Sequence, residues 1–123
     1  MRRVLLIDIR PERWDEVLRD VAPAVRTVVS GHTHMPFVRL VDGRLVIDAG
    51  SVGLPCGRSG AHWAVLEAGA VTIGRTPIEA DELIRETAAS PVTPDFRAWL
   101  EEAVGRPASD RDAMAAFGPR DGR

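Results

Sequence analysis

The sequence predicts an α/β fold. Three observations carry this: a helical period near the N-terminus, two strand–turn–strand patterns in the middle, and a C-terminal third with helical spacing and capping residues.

Val4 to Ile7 is a short apolar run that reads as a buried strand. Pro11 to Val21 reads as an amphipathic helix, because Trp14, Val17, Leu18 and Val21 recur at spacings of three and four. Pro23 stops it. Thr27 to Ser30 is a β-rich run leading into Gly31. Phe37 to Val41 and Leu45 to Ile47 flank Asp42-Gly43, the strongest hairpin signal in the chain. Ala49 to Gly60, rich in Gly, Ser and Pro, is loop. Trp63 to Leu66 and Val71 to Gly74 form a second hairpin around Glu67 to Ala70. Asp81 to Ala88 is helical. Thr93 caps a helix that opens with Pro94, buries Phe96, Trp99 and Leu100, and ends near Gly105. Ser109 with Asp112 resembles a capping box for a last helix to Phe117, after which Gly118 to Arg123 frays. Trp14, Trp63 and Trp99 occupy apolar positions and are expected in the core.

With 123 residues, 45% hydrophobic and 28% charged, the composition is that of one soluble globular domain. A formal net charge of -2 gives no pull toward nucleic acid or anionic membrane. No apolar run approaches the roughly 18 residues of a membrane span. The basic start Met1-Arg2-Arg3 precedes an apolar stretch that Asp8 breaks too early for a signal peptide. One cysteine, Cys56, forms no internal disulfide, which points to the cytoplasm. The chain has no Lys, Asn, Gln or Tyr. Phosphate chemistry must therefore rest on metal, Arg or backbone N–H groups.

Gly31-His32-Thr33-His34-Met35-Pro36 lies where a strand runs into a loop. Two His two residues apart on an extended chain point to opposite sides. A bend at Gly31, with positive φ, lets them converge at the C-terminal end of their strand, beside the Asp48 to Gly53 loop. Neutral imidazole is a common ligand of borderline metals, and a close pair can serve two ions about 3.5–4 Å apart. By itself His-x-His demands none of this.

The surroundings add to it. Thr27 to Pro36, then Asp42-Gly43, then Val46-Ile47-Asp48-Ala49-Gly50-Ser51-Val52-Gly53, then Ala61-His62-Trp63-Ala64-Val65-Leu66-Glu67 resemble the C-terminal half of small calcineurin-like metallophosphoesterases. Those proteins carry strand-Gly-His-Thr-His-x-Pro, a hairpin, and a strand ending in Asn-Pro-Gly-Ser-Val-Gly. Here Asp48-Ala49 replaces Asn-Pro. The resemblance runs from about Pro11 to Pro77. It implies part of a β-sandwich flanked by helices, mostly antiparallel hairpins, in residues 1–78, with residues 79–123 a C-terminal helical extension. It implies hydrolysis of phosphate mono- or diesters at a dinuclear site of Mn, Fe, Zn or Ni, with His32 on one metal and His34 on the other. Gly31, Asp48 and Ser51 would border the site.

The family's other ligand motifs, Asp-x-His, Gly-Asp-x-x-Asp, Gly-Asn-His-Asp or -Glu and a further His, are not in this sequence. Asp8-Ile9-Arg10 matches only superficially. The helix leading straight into the last motif indicates that the sequence enters partway through the domain. Alone it is then expected to be weakly active or inactive, and the alternative is a catalytically inactive truncated remnant or interaction module. Thr27 to Gly74 should supply most of one sheet, with an apolar face exposed and prone to self-association.

Other chemistries fail on spacing. A cupin needs Glu within about four residues of its His pair, where Phe37, Val38 and Arg39 stand. An amidohydrolase barrel needs about 250 residues. Ala49-Gly50-Ser51-Val52-Gly53 feeds turn residues, not the helix of a nucleophile elbow. A cysteine phosphatase wants Arg six residues after Cys56, and His62 is there.

Overall fold

The computed structural model describes residues 4–91 and 93–120. Met1-Arg2-Arg3 and the last three residues of the tail lie outside them. The order is α1 (Pro11–Leu18), β1 (Thr27–Ser30), β2 (Phe37–Val41), β3 (Arg44–Asp48), β4 (Ala61–Glu67), β5 (Ala70–Thr76), α2 (Ala80–Ala88), α3 (Pro94–Ala103) and α4 (Asp110–Phe117). Gly118–Arg120 continues as a single 3-10 turn. The α/β class follows from this order.

The strands form two sheets where the sequence suggests one: β1-β3-β2, and the β4-β5 hairpin. β1 runs parallel to β3 with Ser30 opposite Asp48, and β2 is antiparallel to β3. Both hairpins close through two left-handed residues. These are Asp42 (φ 47) with Gly43 (φ 73), and Ala68 (φ 48) with Gly69 (φ 82). Two consecutive positive φ values match the right-handed twist of the flanking strands.

The Val4 to Ile7 run is not a strand. Val4 and Leu6 are buried, but the chain turns, with Ile9 N–H donating to Leu6 O. A side chain meets the end of the run: Arg39 on β2 donates to Ile7 O and, just beyond it, to Ile9 O, each at 2.7 Å. The same guanidinium lies 5.6 Å from the Trp14 ring centre. Trp14 and Leu18 of α1 pack with Ile9, Phe37, Val41 and Val46 over one face of the three-stranded sheet. α1 ends at Leu18, three residues short of the apolar period, and Val21 still packs on this core.

The other face keeps Ile47 sealed but leaves Val29 60%, Val38 41% and Leu40 69% exposed. A second core joins Val4, Leu6 and Met35 to Ala113 of α4, with Cys56, Met114 and Phe117 against it. The C-terminal helix thereby packs beside the His-Thr-His loop. Both predicted caps form: Thr93 Oγ1 accepts from Phe96 N–H, and Ser109 Oγ accepts from Asp112 N–H. Trp63, Phe96 and Trp99 are about half-exposed, contrary to the core positions expected of them.

Candidate functional site

Because β1 and β3 are parallel and in register at Ser30 and Asp48, the loops that follow them leave the sheet at the same end. Ser30 Oγ donates to Ile47 O at 3.1 Å and ties the two strand ends. The His-Thr-His segment therefore emerges beside the loop after Asp48.

The bend is not made at Gly31. That residue lies outside the left-handed region, and a Cβ there would meet nothing within 4 Å. The bend sits on the histidines themselves: His32 has φ 85 and His34 φ 60. A side chain in this region costs roughly 1–2 kcal/mol and persists only where the surroundings hold it. Those surroundings are explicit. Thr33, between the two, is fully buried, and its hydroxyl donates to Asp48 Oδ2 at 3.0 Å. Thr33 O accepts the Cys56 thiol at 3.8 Å, and His34 O accepts Cys56 N–H at 3.1 Å. Alternating left-handed residues turn the buried Thr33 inward while His32 is exposed and His34 half-buried.

Asp48 is fully buried, and Gly50 N–H donates to its Oδ1 at 2.9 Å. Burial pushes its carboxyl pKa up; the Gly50 N–H, the Thr33 hydroxyl and the nearby His34 and His32 pull it partly back. Both oxygens thus brace the loops that carry the two motifs. Ser51 is engaged as well: its Oγ accepts from Leu54 N–H at 3.0 Å and its carbonyl from His62 N–H at 3.1 Å. Gly50 (φ 84) cannot carry a side chain, since a Cβ would sit 2.9 Å from His62 Cβ and 3.1 Å from Pro36 Cδ. Thr33 and Gly50 are the supports that sequence reasoning missed. The legible signal was their position inside the two motifs.

His32 makes an edge contact with Phe117 of α4, ring centres 5.9 Å apart. His34 opens onto a cleft of about 350 Å³ against α3. His62 is buried, and its Nδ1 has no partner among the described residues. Burial, then the Arg75 and Arg58 charges, hold its pKa below the usual imidazole value.

Two imidazoles are donors of the right kind for a divalent ion. Among the described residues, however, no three His, Cys, Asp or Glu side chains come together to hold one. A complete site takes at least three protein ligands, so the described residues fit part of a metal centre and not the whole.

Residues 1–70 match the family model of the calcineurin-like phosphoesterase superfamily domain. No curated protein and no solved structure matches the chain.

Proposed function

The chain belongs to the calcineurin-like phosphoesterase superfamily, and from that premise we propose that it serves metal-dependent hydrolysis of phosphate mono- or diesters, with His32 and His34 as ligands of a dinuclear centre. The observation that carries this reading is the strained His32-Thr33-His34 loop, braced on buried Asp48 at the end of two parallel strands. Strain that the surroundings hold in place at two potential ligands is the mark of a built site.

His32 and His34 are only part of the ligand set, because a dinuclear site needs several donors per ion and carboxylates to offset two dications. Gly31, Asp48 and Ser51 border the centre, with Asp48 and Ser51 in supporting roles. Residues 1–78 act as the C-terminal half of the catalytic domain and 79–123 as its helical extension. Mn, Fe, Zn and Ni are the candidate ions.

No described helix is long and apolar enough to cross a membrane. The cytoplasm is the compartment this reading takes, supported by a lone cysteine with no internal disulfide partner. The exposed Val29, Val38 and Leu40 face promotes self-association.

That no third donor joins the two histidines among the described residues also favours a second reading, a remnant that keeps the fold as an interaction module. Metal content by mass spectrometry, with turnover of an aryl phosphate ester in Mn²⁺, separates the two. The phosphoesterase reading expects weak metal binding that His32→Ala or His34→Ala abolishes, with little turnover by this chain alone. No binding by the unaltered chain selects the remnant.

A further inference from the structure

We infer that the cleft between the His-Thr-His loop and α3 receives the ester group of the substrate, and that this group is planar and aromatic. The inference rests on the proposed role of His34. An ester whose phosphorus lies at His34 must project its organic group into the space beside that residue. That space is the cleft of about 350 Å³ lined by His34, Leu54, Pro55, Trp99, Glu102 and Arg106. Its volume is at the lower end of small-molecule sites, which begin at roughly 300 Å³.

The lining chemistry narrows the ligand. Trp99 is 45% exposed, although a free indole face gains by being covered. Its ring stacks on Phe96, centres 5.5 Å apart and planes 28° from parallel. Leu54 and Pro55 supply further apolar wall. An indole beside aliphatic groups suits a flat π-system, and base–aromatic stacking is tolerant of which one.

The two charged residues have separate work. The Arg106 guanidinium makes no hydrogen bond or ion pair among the described residues, which leaves its donors for a phosphate oxygen. Glu102 can accept only from a ligand N–H or O–H. The ligand chemistry is therefore a phosphate ester of a planar aromatic group, met in nucleotides and in simple aryl phosphates alike. Trp99, Glu102 and Arg106 lie outside the family-matched residues 1–70, so selectivity would be added by the C-terminal helices. A larger cleft of about 630 Å³ between α2 and α3 touches neither His32 nor His34, and Asp81, Glu101 and Glu102 make its lining acidic.

The test is ligand binding without added metal, read by NMR on the full chain. The chain has three tryptophans, hence three indole N–H resonances. AMP and 1-naphthyl phosphate should each shift the Trp99 indole saturably, and glycerol 3-phosphate should not. Followed at the His34 imidazole, Trp99→Leu should weaken both aromatic ligands about tenfold. Arg106→Gln should weaken both, and Glu102→Gln only AMP if its amine is the donor read. A Trp99 indole unmoved by millimolar AMP and naphthyl phosphate, or equal affinity in Trp99→Leu, overturns the inference. Metal content of the His32 and His34 variants is read separately. Failure of the phosphoesterase reading therefore shows there and not in the indole shift.

Discussion

Thr33 and Asp48 are joined by a buried hydrogen bond of 3.0 Å, from the middle of the His-Thr-His loop to the last residue of β3. It ties the segment between the two histidines to the sheet interior and contributes to the stability of the site.

Thr33→Val keeps the shape and removes the donor. It should destabilise the fold by about 1–3 kcal/mol, because Asp48 Oδ2 stays buried without its partner. Asp48→Ala should cost a similar amount by orphaning Gly50 N–H and the Thr33 hydroxyl. Asp48→Asn should be neutral or stabilising at pH 7: an amide can accept from Gly50 and donate to Thr33, and the charge that burial disfavours is gone. Asn is also the residue of the family pattern at this position. Urea melts of the three variants check the order.

The left-handed backbone at His32 predicts a conflict between stability and ligation. His32→Ala keeps the strain and loses the imidazole, whereas His32→Gly loses both. His32→Gly should therefore be more stable than His32→Ala by about 1 kcal/mol, less the extra chain entropy of glycine. Neither should hold metal. Equal melts would mean that the bend is unstrained.

His62 predicts a pH dependence. Its folded pKa lies below the ordinary imidazole value, so the unfolded chain binds its proton first as pH falls. Its contribution is present above about pH 6.5 and is lost as pH falls from there toward the folded value. Arg75 and Arg58 oppose protonation from nearby. Thermal melts from pH 7.5 to 5 should drop more steeply for the unaltered chain than for His62→Phe, which also removes the unpartnered Nδ1.

The apolar sheet face predicts self-association. Val38→Arg with Leu40→Glu should shift sedimentation toward monomer while leaving α1 and its Trp14 core on the opposite face unchanged. A monomeric unaltered chain with a cooperative melt contradicts the exposed-face account.

The hairpins, the two hydroxyl caps and the α/β order were legible because each depends on residues near in sequence. Asp42-Gly43 dictates its turn, and Thr93 and Ser109 reach only three residues ahead. What escaped depends on distant partners. The Val4 to Ile7 run shows its burial in sequence, but not that Arg39, about thirty residues on, takes the carbonyls of Ile7 and Ile9. Trp99 shows an apolar period, but not whether a layer covers it. Glycine's general freedom points to a bend at Gly31. The bend falls on His32 and His34 because buried Thr33 is pulled inward by Asp48, fifteen residues away.

The central claim is that His32 and His34 are metal ligands. Titrating paramagnetic Mn²⁺ into ¹⁵N-labelled chain and following line broadening tests it most directly. Broadening should centre on residues 31–36 and spread to Asp48 and Gly50, and either His32→Ala or His34→Ala should remove it. Broadening centred on the acidic surface of α2 and α3, or unchanged by both substitutions, would contradict the account.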